Sequence, residues 1–179
     1  MRVGALPRDT PSREAAARIL VDSFREHWPR AWPTVDDALK ELDGLPVGQA
    51  AFVGDELVGV AGAIPTYDGN VWEVHPLAVA EPHRGRGIGR ALLDALESLA
   101  AAAGASTLWV GSDDEDEMTT VGGRDLYPDI LGSLAAIEDV NGHPYRFYMR
   151  CGFSLAGVVP DANGPGKHDI LLAKRVRRT

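Results

Sequence analysis

The strongest constraint on this chain is a glycine-rich segment, Arg-Gly-Arg-Gly-Ile-Gly, at residues 84–89. It follows an extended apolar stretch at residues 71–81 and precedes a segment whose apolar residues have helical spacing. Glycine lets a backbone approach a ligand closely, and the start of a helix presents N–H groups to an anion. This order of strand, loop and helix predicts a phosphate-binding site, to which Arg84, Arg86 and Arg90 add positive charge.

Two other phosphate-binding motifs do not fit this loop. A P-loop requires Lys and then Ser or Thr after its last glycine, whereas Arg90 follows Gly89. A dinucleotide-binding motif that begins at Gly85 or Gly87 would need glycine where Arg90 or Leu92 stands. The loop therefore predicts anion binding of another class, and a simple tight connection is the alternative.

The hydrophobic pattern predicts a mixed α/β fold in a single domain that spans residues 1–179. Helices are predicted from Thr10 or Ser12 to about Trp28, and at residues 35–43, 88–103, 124–140 (broken near Pro128) and 143–152. Strands are predicted at the N-terminus and at residues 49–53, 57–64, 71–81, 106–112, 153–160 and 168–176. Strands on both sides of the central helix exclude a helical bundle and a β-sandwich.

Charge and composition exclude several classes of protein. The net charge of −8 argues against a nucleic-acid binder, which needs clustered Lys and Arg. No apolar run approaches the roughly 18 residues of a membrane span, and the N-terminus lacks the apolar core of a secretory signal. Cys151 is the only cysteine, which excludes an internal disulfide and a cysteine-based zinc site. These features predict a cytoplasmic protein that uses no metal.

The motif Arg84-x-x-Gly87-x-Gly89 resembles the Arg/Gln-x-x-Gly-x-Gly/Ala signature of the GNAT superfamily of acetyltransferases. Further stretches resemble, more specifically, class I aminoglycoside 6′-N-acetyltransferases of the chromosomally encoded, dimeric subgroup. These stretches are LVGVAGAIPTY, WEVHPLAV, GSDDEDEMTT, DLYPDI, HPYRFY, PDANG and DILLAK. The resemblance implies the GNAT fold, in which a mixed central β-sheet is splayed around acetyl-CoA and flanked by helices. It also implies a homodimer, and it implies acetyl transfer to the 6′-amine of an aminoglycoside by direct attack within a ternary complex.

The resemblance assigns residues to the cosubstrate acetyl-CoA. Its pyrophosphate would bind the loop formed by Arg84, Gly85, Arg86, Gly87, Ile88, Gly89 and Arg90. Its pantetheine would pair with the backbone of Ala78 and Val79, and the backbone N–H of Leu77 would polarise the thioester carbonyl. Tyr148 matches the tyrosine that GNAT enzymes place beside the coenzyme A sulfur, where it would protonate the departing thiolate.

Two polar residues of the strand at 71–81 could act on the acceptor amine. Glu73 and His75 face the same side, because successive side chains of a strand alternate. Pro76 cannot donate a ladder hydrogen bond and therefore predicts a bulge or a splay of the strand beside them. Glu73 is predicted to hold the acceptor ammonium and accept its proton, and a structural carboxylate paired with arginine is the alternative. His75 either assists this proton removal or packs locally.

The acidic run DDEDE at residues 113–117 suits a cationic acceptor, because a carboxylate-lined cleft concentrates polycations. A solvated surface loop is the alternative. The resemblance makes Asp116 a substrate contact and leaves Asp113 or Asp114 as structural.

Aromatic residues complete the acceptor prediction. Tyr67 and Trp28 match family positions that flank the sugar rings, and Trp32 is the alternative to Trp28.

The residues leave two other functions open. One is acetyl transfer to a different cationic amine (a polyamine, peptide or protein N-terminus), and the other is non-catalytic acyl-CoA binding in regulation. The presence of both Glu73 and Tyr148 argues against the non-catalytic function. A role in antibiotic resistance follows from the resemblance alone.

Overall fold

The computed structural model describes residues 1–176, which form two compact units. The first unit comprises Met1–Leu108 together with Val176, and the second comprises Trp109–Arg175. Both contain strands and helices, so the predicted mixed α/β class is confirmed. The single domain over residues 1–179 stays a prediction, and residues 177–179 lie outside the described part. Within residues 1–176, no helix combines the length and apolar character needed to cross a membrane.

The first unit is built on four antiparallel strands that neighbour one another in chain order. They are β1 (Arg2–Ala5), β2 (Val47–Val53), β3 (Glu56–Thr66) and β4 (Val71–Val79). Its helices are α1 (Thr10–Phe24), α2 (Val35–Gly44) and α3 (Ile88–Ala102). The apolar faces of α1 and α2 pack on the strands in one buried cluster, which includes Leu20, Leu42, Val60 and Ala78.

Helix α1 differs from its prediction at both ends. Its N-cap is Asp9, whose carboxylate accepts a hydrogen bond from the Ser12 N–H at 2.9 Å, and neither Thr10 nor Ser12 caps it. The helix ends at Phe24, before the predicted limit at Trp28. One further turn follows, with the Trp28 N–H donating to the Phe24 carbonyl at 2.7 Å. Pro29 then disfavours a helical conformation at the residue before it.

The bulge predicted from Pro76 is confirmed. The register between β3 and β4 shifts by one residue, so that Gly62 faces both His75 and Pro76. A Cβ atom on Gly62 would lie 2.4 Å from the His75 carbonyl oxygen and 2.7 Å from a Leu45 methyl carbon. The bulge therefore requires a residue without a side chain at position 62.

The second unit contains most of β5 (Thr107–Asp114), together with β6 (Ser154–Val159) and β7 (His168–Arg175). Strand β7 lies between the other two and forms an antiparallel hairpin with β6. Two short helices complete the unit, α4 (Ile130–Ala135) and α5 (Tyr145–Arg150).

The predicted helix at residues 124–140 is wrong in extent, because only Ile130–Ala135 is α-helical. Asp129 caps the start of this short helix. Beyond its end, the Thr120 N–H donates to the Glu138 carbonyl at 3.0 Å, and this pairing with a distant segment holds the chain in an extended path. Tertiary hydrogen bonds here override the local helical pattern.

We expect Gly62→Ala to lower the free energy of unfolding by about 1–3 kcal/mol, because the added methyl group meets the His75 backbone. Gly4→Ala is the matched control, since Gly4 also lies in a strand and a Cβ atom there meets nothing within 4 Å. Urea unfolding of the two variants and the wild type measures the difference. Equal midpoints for the two variants would contradict the steric requirement at Gly62.

Candidate functional site

The glycine-rich loop forms an open N-terminus for helix α3. Gly85 and Gly87 have φ values of 73° and 81°, a left-handed conformation that favours glycine. Gly87 is the N-cap, with no capping side chain, and a Cβ atom on either glycine would meet nothing within 4 Å. The first bond of the helix runs from the Ala91 N–H to the Gly87 carbonyl, so the N–H groups of Ile88 and Gly89 precede the helical ladder.

The arginines of the loop have different surroundings. The Arg84 guanidinium donates to the Val79 carbonyl at 3.0 Å and to the Ser23 hydroxyl at 3.2 Å. Arg84 thereby ties the loop to the end of β4 and to α1. Arg86 and Arg90 are exposed. A bare helix N-terminus flanked by exposed arginines fits a pyrophosphate group.

The predicted cofactor residues of β4 lie directly before this loop. Leu77, Ala78 and Val79 follow the bulge, and all three pair with β3 on one side. Ala78 is buried in the cluster under α1 and α2, whereas Leu77 and Val79 are half-buried. The backbone predicted to bind pantetheine and the loop predicted to bind pyrophosphate are therefore consecutive in one rigid element.

His75 lies on the face of β4 that helices α1 and α2 cover. Its Nε2 atom is 3.5 Å from a carboxylate oxygen of Glu41 in α2, and its ring centroid is 5.8 Å from that of Trp32. Glu73 is two residues earlier, so its half-buried side chain shares this face. The structure thus brings Glu73 and His75 to one face of one strand, as the sequence predicts.

The predicted aromatic residues differ in burial. Trp32 is buried, and its ring contacts His75 and, edge-on at 4.9 Å, Phe24. Trp28 is half-buried, with its ring centroid 6.5 Å from that of Phe24. Tyr67 is 78% exposed in the turn after β3. Of the two tryptophans, Trp32 is therefore the one whose ring contacts His75.

The acidic run separates into internal and exposed carboxylates. Asp114 is fully buried and accepts hydrogen bonds from the Met118 N–H at 2.6 Å and from the N–H and hydroxyl of Thr119 at 3.1 and 2.6 Å. Glu115 pairs with Lys167 at 3.0 Å. Asp116 is exposed. The buried Asp114 shapes the loop, which fits the prediction of a structural carboxylate there.

His143, for which no sequence pattern predicts a role, is buried between the acidic run and helix α5. Its Nε2 atom lies 3.1 Å from the Asp113 carbonyl, and its Nδ1 atom accepts a hydrogen bond from the Tyr145 N–H at 3.1 Å. Burial lowers the pKa of His143 below its ordinary value, although Asp114, the Asp113 carbonyl and Asp139 oppose the shift. The neutral ring is required, because protonated Nδ1 could not accept the bond from Tyr145.

Tyr148 is buried in α5. Its ring contacts those of Phe147 and Phe153, with centroid separations of 5.1 and 5.6 Å. Burial raises the pKa of the Tyr148 hydroxyl well above its ordinary value, and Cys151 adds to the shift. The hydroxyl therefore carries its proton at neutral pH, the state that a proton donor needs.

Within residues 1–176, no three His, Cys, Asp or Glu side chains are grouped to hold a metal ion.

Comparison with known proteins identifies the family. The acetyltransferase (GNAT) family matches residues 13–120, which include β4, the glycine-rich loop and α3. This chain belongs to the GNAT acetyltransferase family. The predicted fold and the use of acetyl-CoA as cosubstrate follow from membership, so the resemblance drawn from the sequence is confirmed at this level.

Solved structures extend the likeness over the whole chain. An aminoglycoside 6′-N-acetyltransferase solved in complex with coenzyme A is 33% identical, with a TM-score of 0.90 and coverage of 100% of this chain and 99% of that one. The aminoglycoside 6′-N-acetyltransferase from Enterococcus faecium is also 33% identical, with a TM-score of 0.87 and the same coverage. An aminoglycoside 6′-acetyltransferase of type Ii is 29% identical, with a TM-score of 0.73 and again the same coverage. Among curated proteins, no significant match was found.

The lowered pKa of His143 predicts that stability falls in mild acid. Below the ordinary imidazole pKa of 6.5, the unfolded chain binds a proton that folded His143 does not yet bind, so unfolding becomes more favourable as pH falls towards the folded pKa. The slope from one such group is at most about 1.4 kcal/mol per pH unit. Urea unfolding between pH 7 and 5 should show a weaker decline for His143→Gln than for the wild type. Identical slopes for His143→Gln and the wild type would contradict the assignment.

Proposed function

We propose that this GNAT acetyltransferase acetylates the 6′-amine of aminoglycosides by direct attack within a ternary complex. The observation that carries the proposal is the 33% identity, over the full chain, to an aminoglycoside 6′-N-acetyltransferase complexed with coenzyme A. The open, arginine-flanked start of α3 supports the cosubstrate part of the proposal. The exposed carboxylate of Asp116 supports a cationic acceptor.

Acetyl-CoA supplies the activated acetyl thioester. In the proposal, the backbone N–H groups of residues 85–90 and the Arg86 and Arg90 side chains bind its pyrophosphate. Arg84 holds the loop in place through Val79 and Ser23 and adds charge from its flank. The backbones of Ala78 and Val79 pair with the pantetheine, and the Leu77 N–H donates a hydrogen bond to the thioester carbonyl.

On the acceptor side, Glu73 holds the ammonium and accepts its proton, which frees the nitrogen lone pair for attack. His75 assists this proton removal from the same face of β4. Both side chains are half-buried, so they are partly shielded from water and still accessible to a ligand. The rings of Trp28 and Tyr67 pack against the sugar rings of the acceptor, and the Trp32 ring contacts that of His75.

Tyr148 protonates the departing thiolate. Support for this role comes from its position in the HPYRFY segment. At neutral pH the Tyr148 hydroxyl carries the proton that the departing thiolate accepts.

Thiol release from acetyl-CoA tests the proposal directly, with kanamycin, with spermidine and with no acceptor. Rapid release with kanamycin, together with a product acetylated at the 6′-amine, is the expected result. Release with spermidine but not with kanamycin would replace the aminoglycoside by another cationic amine. Tight acetyl-CoA binding without turnover of any amine would favour the non-catalytic alternative.

Tyr148→Phe should lower kcat on the order of a hundredfold, because the departing thiolate loses its proton donor. The dissociation constant of acetyl-CoA should stay nearly unchanged, since the ring is kept. Tyr127→Phe is the matched control, because it removes a hydroxyl from a tyrosine of the same unit that is 60% exposed. An unchanged kcat for Tyr148→Phe would remove its assigned role.

Asp116→Asn should raise KM for kanamycin by roughly threefold to fivefold, the effect expected of one exposed charge pair. The KM of the wild type should also rise with ionic strength, because salt screens attraction between exposed charges. Asp55→Asn, in the exposed turn between β2 and β3, is the control for a change in total charge. A KM that neither salt nor Asp116→Asn changes would refute the acidic contact.

We further propose that the protein is a cytoplasmic homodimer in which residues 1–179 form one domain, with a role in antibiotic resistance. Its single cysteine precludes an internal disulfide, which suits a reducing compartment. Large exposed apolar side chains in the second unit support self-association, including Leu131, Val140 and Val159. Light scattering should give twice the 19.1 kDa chain mass.

A further inference from the structure

Helix α2 contributes one carboxylate to strand β4. Its Asp37 pairs with Lys40 in the same helix, and its Asp43 pairs with Arg13 of α1. Glu41, by contrast, reaches the face of β4 that carries Glu73, where it lies 3.5 Å from Nε2 of His75. The buried neighbours Ala38 and Leu42 fix this side of α2 against the core, so the position of Glu41 is set by packing.

The His75 ring is held from three directions. Trp32, itself buried against Phe24, contacts the ring at a centroid separation of 5.8 Å. The Glu41 carboxylate lies at its Nε2 edge. The backbone of His75 is fixed by the bulge, with its carbonyl oxygen packed where Gly62 has no side chain. The remaining edge of the imidazole carries Nδ1.

A carboxylate beside one nitrogen of a neutral imidazole keeps the proton on that nitrogen. With Glu41 at Nε2, the proton stays on Nε2 and Nδ1 carries the lone pair, so Nδ1 is the atom that can accept a proton or a hydrogen bond. The Glu41 and His75 side chains are each 32% exposed, and pairs of this kind contribute little to folding. Orientation of the ring is therefore the main effect of the contact.

We propose that Glu41 is a positioning residue for acetyl transfer. It holds His75 as the Nε2–H tautomer, so that Nδ1 keeps its lone pair and can accept a proton or a hydrogen bond. Glu41 acts through His75 and does not itself bind the amine. The kinetic part of this inference rests on the proposed function. The tautomer part concerns the protein without any substrate.

Nitrogen-15 NMR of the imidazole groups tests the tautomer in the free protein, with His75→Ala used to assign the signals. Neutral His75 should be the Nε2–H tautomer in the wild type and a mixture of tautomers in Glu41→Ala. Glu41→Gln should stay close to the wild type, because the amide oxygen can still accept from Nε2–H. Glu14→Ala, which removes a half-exposed helical carboxylate from α1, should change nothing. The same tautomer populations in Glu41→Ala and the wild type would overturn the proposal.

Kinetics with kanamycin then separates positioning from binding. Glu41→Ala should lower kcat on the order of tenfold and leave KM for kanamycin within about twofold, while Glu41→Gln retains most of the activity. In a His75→Ala background, Glu41→Ala should have no further effect, because its only route is through His75. A raised KM with unchanged kcat, or a further loss of activity when Glu41→Ala is added to His75→Ala, would show direct amine binding and overturn the proposal.

Failure of the proposed acceptor and failure of the proposed role of Glu41 give different results. If the wild type transfers no acetyl group to kanamycin, the proposed acceptor is wrong, and the NMR comparison alone still decides whether Glu41 sets the His75 tautomer. Equal unfolding midpoints and equal acetyl-CoA affinity of Glu41→Ala and the wild type establish that the variant is folded. If Glu41→Ala is unfolded, Glu41→Leu replaces it, because leucine also removes the acceptor oxygen and keeps an aliphatic side chain. A mixed tautomer population and a lowered kcat of Glu41→Leu would then support the proposal, and wild-type values would overturn it.

Discussion

The close approach of the His75 carbonyl to Gly62 is the contact on which the site in the first unit depends. It accommodates one extra residue in β4, and that residue changes which side chains face α1 and α2. His75 contacts Glu41 and Trp32 on this side, and Ala78, three residues later, is buried in the same cluster. In a regular strand, residues three apart face opposite sides, so the bulge is what lets one strand carry polar side chains and then return to the core.

Strand β4 also determines where the loop begins. Beyond the bulge it continues through Val79, and Arg84 hydrogen-bonds back to the Val79 carbonyl. Gly87, in a left-handed conformation, then starts α3, and no side chain caps this helix. A short stretch of chain thus holds the carboxylate and imidazole proposed to act on the acceptor, the backbone proposed to pair with pantetheine and the helix start proposed to bind pyrophosphate. Packing of α1, α2 and α3 on these strands gives this stretch its rigidity.

In the second unit, carboxylates that are adjacent in the sequence have different surroundings in the structure. The run DDEDE contains five carboxylates. The Asp114 carboxylate accepts hydrogen bonds from Met118 and Thr119 within its own loop, whereas Glu115 pairs with Lys167. His143 connects the Asp113 carbonyl to the start of α5, the helix that carries Tyr148. A neutral buried histidine is suited to this link, because its two nitrogens donate and accept in opposite directions.

The sequence alone determined the α/β class, the glycine-rich loop, the bulge at Pro76 and the shared face of Glu73 and His75. These features depend on local rules, namely the absence of a proline N–H, the freedom of glycine and the alternation of side chains in a strand. Only the tertiary structure decided that Glu41 and Trp32 meet His75, that residues 136–140 leave the helical path, and that Asp114 is buried. Each of these depends on contacts between segments far apart in the chain, and no local pattern encodes such contacts.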